Sequence, residues 1–224
     1  MTAPPIVSPI VVTGAGGRLG RLVAERLVAA GAAVAAVDRT VPAIDGALCL
    51  AADLADETST ADAFDRIEAA LGTPRALVHT VGTWDGAPFA DTTLAAWDAV
   101  LTANLTTAFV CAREAVRRML AAGVGGSVVA VASGQGADRG VAQQAAYSAS
   151  KAGVVRLVEA VAQEHRAAGI AAVAVAPSTL LFGGEPGGTA GVDAAAVADL
   201  CVRLCGPEAH VHSGATLRAY GSAG

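Results

Sequence analysis

The amino-acid sequence predicts an α/β fold: one domain with a doubly wound, seven-stranded parallel sheet and helices on both faces. Three observations predict it. Short β-branched runs alternate with longer Ala-rich stretches of helical period. The connections between them are short, as parallel crossovers require. The residues with chemical potential stand directly after strand-like runs, where such a sheet places its ligands.

The elements follow in order. Residues 10–13 have the pattern of a buried strand, ended by the glycine-rich 14–20. Residues 18–30 read as a helix, because Leu19, Leu22, Val23, Leu27 and Val28 recur at helical spacing and Gly31 stops it. Residues 33–37 form the second strand, with Asp38 at its end, and 47–51 the third, followed by Asp53. Thr58 or Ser59 caps a helix running to about Leu71. Residues 76–80 are the fourth strand and lead into Val81-Gly82. Thr92 or Thr93 opens a long helix to Ala122. Residues 127–132 are the fifth strand, ending at Ser133. A helix over 143–168 stops at Gly169, and the sixth strand, 170–176, ends at Pro177. A Gly/Pro-rich loop spans 178–191, with a helix over 193–204 and a last strand over 216–220 beyond it. No repeat or linker interrupts this order, so residues 1–224 make one domain.

Composition narrows the function classes. The chain is 54% hydrophobic but only 4% aromatic, so Ala, Val and Leu must build its core. The net charge is −5, no basic run exists, and Lys151 is the single lysine, which argues against nucleic acid. The opening MTAPPIVSPI has no basic n-region and no cleavable apolar stretch, so we expect no signal peptide. Apolar runs of five to eight residues fall short of the roughly 20 a membrane span needs. Cys49, Cys111, Cys201 and Cys205 lack metal-type spacing and read as buried small hydrophobes, which fits a reducing cytoplasm and no bound metal.

The loop TGAGGRLG places Gly14, Gly17 and Gly20 three apart, directly after the first strand and opening a helix. Glycines there admit positive φ and let the backbone approach a pyrophosphate, which the helix N–H groups behind it attract. Asp38, 24 residues after Gly14, can accept both ribose hydroxyls of an adenosine and repels a 2′-phosphate, favouring NAD over NADP. Arg18 and Arg39 keep NADP open, since either can reach a 2′-phosphate. Asp53 can bond the adenine amino group or cap a helix. Leu19 beside Arg18 and Leu54 beside Asp53 are assigned to the cofactor site with them.

YSASK puts Tyr147 and Lys151 on one helix face by their i,i+4 spacing. A phenol releases its proton too reluctantly at neutral pH, and a nearby ammonium is expected to lower its pKa. Tyr147 can then give or take the proton on a substrate oxygen while a nicotinamide exchanges the hydride. Ser133 can polarise a substrate carbonyl, or merely bond its own backbone. Asn104 interrupts the long helix and can hold a water by opening the helical ladder. Trp84, Gln135 and Phe182 are assigned to the substrate, with Phe182 expected across the cleft from Trp84. His79 is read as a structural histidine.

Together, TGAGGRLG, VVAVAS followed by YSASK, and AVAPS resemble the short-chain dehydrogenase/reductase family over nearly the whole chain. The resemblance implies a single-domain Rossmann fold and a tetrad of Asn104, Ser133, Tyr147 and Lys151. In it Tyr147 is the general acid/base, Lys151 also binds the nicotinamide ribose, Ser133 orients the carbonyl and Asn104 holds a proton-relay water. It further implies NAD or NADP as cofactor, with Gly82, Pro177 and Thr179 beside it, a small carbonyl or alcohol substrate, and a homodimer or homotetramer. The chain also departs from the family. Arg18 replaces a loop glycine, so the three-spaced glycines look more like the extended branch or the dihydropteridine reductase-like members. His79-Thr80-Val81-Gly82 replaces Asn-Asn-Ala-Gly, and Phe182 stands where a carboxamide-binding Thr is usual. Two other function classes stay open: a non-redox enzyme on the same scaffold (epimerase, dehydratase or cyclase), and a non-catalytic dinucleotide-binding regulator.

Overall fold

The structure is a computed structural model that describes residues 8–223; the expectation about a leader concerns a segment mostly outside them. Among the described residues there are nine strands: β1 (Ile10–Thr13), β2 (Val34–Asp38), β3 (Leu48–Ala51), β4 (Ala76–His79), β5 (Gly126–Val131), β6 (Ile170–Pro177), β7 (Leu180–Leu181), β8 (Val192–Asp193) and β9 (Thr216–Ala219). Seven of them form one parallel sheet in the order β3-β2-β1-β4-β5-β6-β9. Strand order reverses between β1 and β4, so the loops after Thr13 and His79 flank a crevice at the sheet's carboxyl edge.

Five long helices cover the sheet: α1 (Arg18–Ala29), α2 (Glu57–Leu71), α3 (Leu94–Ala121), α4 (Ala145–His165) and α5 (Ala194–Arg203). Alternate strand residues feed two cores, because successive side chains point to opposite faces. Val11, Leu77 and Val128 pack with Phe64 of α2, Met119 of α3 and Val158 of α4. Ile10, Val12 and Val78 pack with Val23 of α1 and Val197 of α5. α3 is long and apolar enough to cross a membrane by length and composition alone. Its second half instead carries Arg118, which pairs with Asp65 and Glu68 of α2, and it lies on the sheet as a core helix.

Several element ends differ from expectation, each for a local reason. α2 starts at Glu57 because the Asp56 carboxylate, not Thr58 or Ser59, caps it, accepting from Ser59 N at 2.7 Å. α4 begins at Ala145 rather than 143: Gln143 sits at φ 64°, and its carbonyl accepts from Ala87 N at 2.9 Å. Its last turn tightens to a 3-10 turn over Arg166–Ala168 before Gly169. The loop after β6 is not free at its base, where β7 pairs with β8 and Ser222 N donates to Gly191 O at 3.0 Å. The cysteines are free thiols; Cys111, Cys201 and Cys205 are buried, and burial pushes their pKa up.

Candidate active site

The glycine loop is built by close approach. Gly14 holds φ 78°. A Cβ on Gly20 would stand 2.2 Å from Gly14 O and 2.6 Å from Thr80 Oγ1, so only glycine lets α1 begin this close to β1. Gly17, at ordinary φ, precedes α1 without a side-chain cap, which leaves the helix's first N–H groups open to the crevice. Asp38 faces the same loop: its Oδ2 accepts from Gly16 N at 2.9 Å and its Oδ1 from Arg39 N at 2.7 Å. Asp53 forms a local turn, accepting from Ala55 N at 3.1 Å, and the Leu54 side chain is buried in the core, so only its backbone faces outward chemistry.

Across the switch point, Thr80 donates to Thr13 O at 2.8 Å and stitches β4 to the glycine loop. His79 is buried between two hydroxyls, with Nδ1 2.8 Å from Thr13 Oγ1 and Nε2 3.3 Å from Thr107 Oγ1. Thr107 already donates to Ala103 O at 2.7 Å, so it accepts from Nε2, and the ring is neutral with Thr13 donating to Nδ1. Burial, aided by the Lys151 charge, drives its pKa down to about 3. The unfolded chain therefore binds a proton on His79 that the folded chain refuses between pH ~6.5 and ~3, and stability falls as the pH falls through that window. We expect His79→Asn to melt at lower temperature at pH 7 yet lose less between pH 6.5 and 5 than the parent; parallel melting curves at the two pH values decide it.

Asn104 sits where α3 opens into a π turn over Thr102–Thr106, at the position read from its poor helix propensity. It is fully buried. Its Oδ1 accepts from Thr83 N at 2.7 Å, while its Nδ2 donates to Thr83 O at 3.0 Å and to Ser150 Oγ at 2.9 Å. Ser150 in turn donates to Tyr147 O at 2.8 Å. The side chain thus ties the segment after β4 to the first turns of α4.

Lys151 is buried and donates from Nζ to Val131 O at 2.9 Å. Burial lowers its pKa to about 8. Its Nζ lies 6.0 Å from the centre of the Tyr147 ring. The expectation that Lys151 lowers the phenol's pKa fails in this geometry. Burial raises it, the hydrogen bond with Ser133 offsets only part of that, and the ammonium is turned to a backbone carbonyl.

Tyr147, Lys151, Ser133, Gly82, Leu19 and Thr179 open into one cleft of about 860 Å³, whose walls also hold Trp84, Gln135 and Pro177. A Cβ on Gly82 would come within 3.1 Å of both Lys151 Nζ and Asn104 Oδ1, so this glycine keeps the floor open. Phe182 stands elsewhere: its ring lies 3.9 Å beneath the Arg18 guanidinium and packs against the α1 core rather than opposite Trp84. The two family departures therefore meet each other. Sequence reasoning missed Ser150, and also Asp138, Arg139 and Tyr220, which line the cleft. The scarcity that marked Tyr147 would have marked Tyr220, the only other tyrosine. Among the described residues no group of three or more His, Cys, Asp or Glu gathers to hold a metal.

A parallel sheet split at a glycine loop, with a Tyr-x-x-x-Lys face opening into the same crevice, defines a Rossmann-type oxidoreductase. The chain belongs to the short-chain dehydrogenase/reductase family: the family described as short chain dehydrogenase matches residues 8–181. Members bind NAD(H) or NADP(H). The chain is similar to the cis-4-hydroxycyclohexanecarboxylate dehydrogenase of Sinomonas cyclohexanicum, 38% identical over 79% of this chain and 76% of the relative. It is similar also to the 2-dehydro-3-deoxy-L-rhamnonate dehydrogenase (NAD(+)) of Sphingomonas sp. SKA58, 35% identical over 75% of this chain and 70% of the relative. Among solved structures, a dehydrogenase/reductase of Sinorhizobium meliloti 1021 superposes with a TM-score of 0.84 at 27% identity, covering 96% of this chain and 94% of the other.

Proposed function

We propose that the protein interconverts a ketone or aldehyde and the corresponding alcohol with a nicotinamide dinucleotide, NAD or NADP, and that Tyr147 moves the proton. The observation carrying this reading is the shared cleft: Tyr147, Ser133 and Lys151 face the same space as Leu19 and Gly82, the residues that follow β1 and β4. The residues present fit the dinucleotide. Gly14, Gly17 and Gly20 add no side chains of their own to the loop, and the uncapped α1 N-terminus suits a diphosphate. The bound cofactor supplies or accepts the hydride.

The chain's own groups do the rest. The Tyr147 phenol is protonated at neutral pH, and burial pushes its pKa further up, so it is in the state that donates to a substrate oxygen. Ser133 stands beside it as a second donor to that oxygen. Lys151, held at the Val131 carbonyl, would supply a positive charge and a donor to the nicotinamide ribose. Asn104 keeps Thr83 and α4 in register, and the π turn around it frees backbone carbonyls that can hold the relay water. Asp53, Leu54, Pro177 and Thr179 complete the cofactor contacts. Trp84, 60% exposed, and Gln135 meet the substrate. Copies pair into a homodimer or homotetramer in the cytoplasm, with Phe109 of α3 among the exposed apolar side chains available for it.

NAD is the preferred cofactor. Two backbone N–H groups fix the Asp38 carboxylate beside the glycine loop, where its charge would repel a 2′-phosphate, and Arg18 is engaged with Phe182. We expect NAD to bind at least ~10-fold tighter than NADP and Asp38→Ala to erase most of that ratio, since removing like-charge repulsion of ~1–2 kcal/mol accounts for it. Equal affinities of the parent for the two cofactors, in a fluorescence titration, would overturn the assignment. Turnover is tested by following the reduced-nicotinamide absorbance with a panel of ketones, cyclic alcohols and polyols.

A further inference from the structure

Beyond Ser133 the chain knots up tightly. Gln135 N donates to Ser133 Oγ at 3.2 Å, Ala137 N to Ser133 O at 3.0 Å and Asp138 N to Gly134 O at 3.3 Å. A backbone bridge then joins Gln135 to Arg139. The knot fixes where Arg139 stands relative to Ser133, six residues earlier. From the other side of the cleft the end of the chain closes on it. The Tyr220 hydroxyl donates to Asp138 Oδ2, and Arg218 Nε donates to Asp138 Oδ1 at 2.6 Å. Tyr220 is itself anchored, since Ser178 Oγ donates to its carbonyl at 2.8 Å. Its ring lies so close to Gly134 that a Cβ there would come within 3.0 Å of it.

The charges do not cancel. Asp138 is the one carboxylate of the group, and Arg218 and Tyr220 occupy both its oxygens. These bonds, with the charges of Arg218 and, less strongly, Arg139, hold its pKa below the usual carboxylate range, so it stays ionised while its hydrogen bonds go to Tyr220 and Arg218. Arg139 lines the cleft and, among the described residues, forms no salt bridge. One negative and two positive side chains leave a single surplus positive charge, on a side chain whose fork is unclaimed. A planar guanidinium with free donors matches a carboxylate through two parallel hydrogen bonds.

We propose that the substrate carries a carboxylate and that Arg139 is the residue that binds it, with Tyr220 and Asp138 forming the wall that sets its position; this rests on the dehydrogenase reading for the reaction but not for the binding. A hydroxy acid or oxo acid then lies with its reacting carbon at Tyr147 and Ser133 and its anionic end at Arg139. A neutral alcohol gains nothing at that end. A dianionic phosphate meets only one uncompensated charge there.

Two measurements on the dinucleotide-loaded protein test it. In calorimetric titration with non-reacting probes, cyclohexanecarboxylate is expected to bind about 10- to 100-fold tighter than its methyl ester, the range one charge-assisted pair supplies, and tighter than cyclohexyl phosphate. Arg139→Gln is expected to bring the acid-to-ester ratio close to one, and Arg139→Lys to restore part of it. In turnover, 4-hydroxycyclohexanecarboxylate should exceed its methyl ester in kcat/KM by a similar factor, carried mainly by KM. Equal binding of acid and ester, an unchanged ratio in Arg139→Gln, or tighter binding of the phosphate sinks the carboxylate assignment. Arg139-dependent acid binding without hydride transfer to any alcohol would instead leave this inference standing and remove the dehydrogenase reading. Arg139 is exposed, and an unshifted melting temperature of Arg139→Gln confirms that the variant is folded.

Discussion

Tyr147→Phe is expected to lower kcat by ~10²- to 10⁴-fold while dinucleotide affinity changes less than about threefold. The substitution removes one oxygen from a side chain whose ring faces the cleft and whose backbone is held by Ser150. The helix face, the Lys151 bond to Val131 O and the glycine loop all stay in place. What disappears is the phenol's proton, which burial binds still more tightly than in a free phenol. Because the phenol is raised rather than lowered, rates in the reducing direction should hold up to mildly alkaline pH, whereas alcohol oxidation, which needs the phenolate, should climb with pH. Steady-state kinetics in both directions, paired with a binding titration, read both effects. A Phe variant within tenfold of the parent would remove Tyr147 from the chemistry.

Gly20→Ala is expected to be the most damaging single methyl in the cofactor half. The added carbon would stand 2.2 Å from Gly14 O and 2.6 Å from Thr80 Oγ1. Neither neighbour can withdraw: Gly14 O accepts from Gly17 N at 3.0 Å, and Thr80 Oγ1 holds Thr13 O at 2.8 Å. The start of α1 must therefore move off β1, costing ~1–3 kcal/mol of stability and the loop shape on which the diphosphate depends. We expect dinucleotide affinity to fall at least ~100-fold by calorimetry. Gly17→Ala is the control, since its added carbon meets only Gly14 O, at 3.2 Å, and it should cost far less. Equal losses for the two variants would show that loop composition, rather than close approach, governs the site.

The sequence carries the sheet because its signals are local. Residues 10–13, 76–79 and 170–177 are apolar runs closed by Gly, Thr or Pro, and the helices between them keep their period. Tyr147 and Lys151 are legible because α4 turns an interval of four residues into one face and because lysine is otherwise absent. The interrupted ladder at Asn104 is legible from its poor propensity, but its bonds to Thr83 and Ser150 are not, since they join segments 21 and 46 residues apart. Distance also hid the pairing of Arg18 with Phe182. Each looks like an isolated defect in the family pattern, and only the folded chain shows that they answer each other. Tyr220 and Asp138 lie 82 residues apart and escaped notice for the same reason. The cap of α2 lies at Asp56, two residues before Thr58 and three before Ser59, because Asp, Thr and Ser all suit that role and only the bond to Ser59 N chooses among them.

The solitary lysine has a practical meaning for anyone handling the molecule. Apart from the amino terminus, the protein offers a single primary amine, and that amine stands at the floor of the cleft behind Gly82. Reagents that biotinylate, cross-link or immobilise proteins through surface amines find no harmless target here. Whatever side-chain modification they achieve falls on the proposed reaction centre, so attachment chemistry for this chain belongs on its exposed carboxylates or at an appended tag.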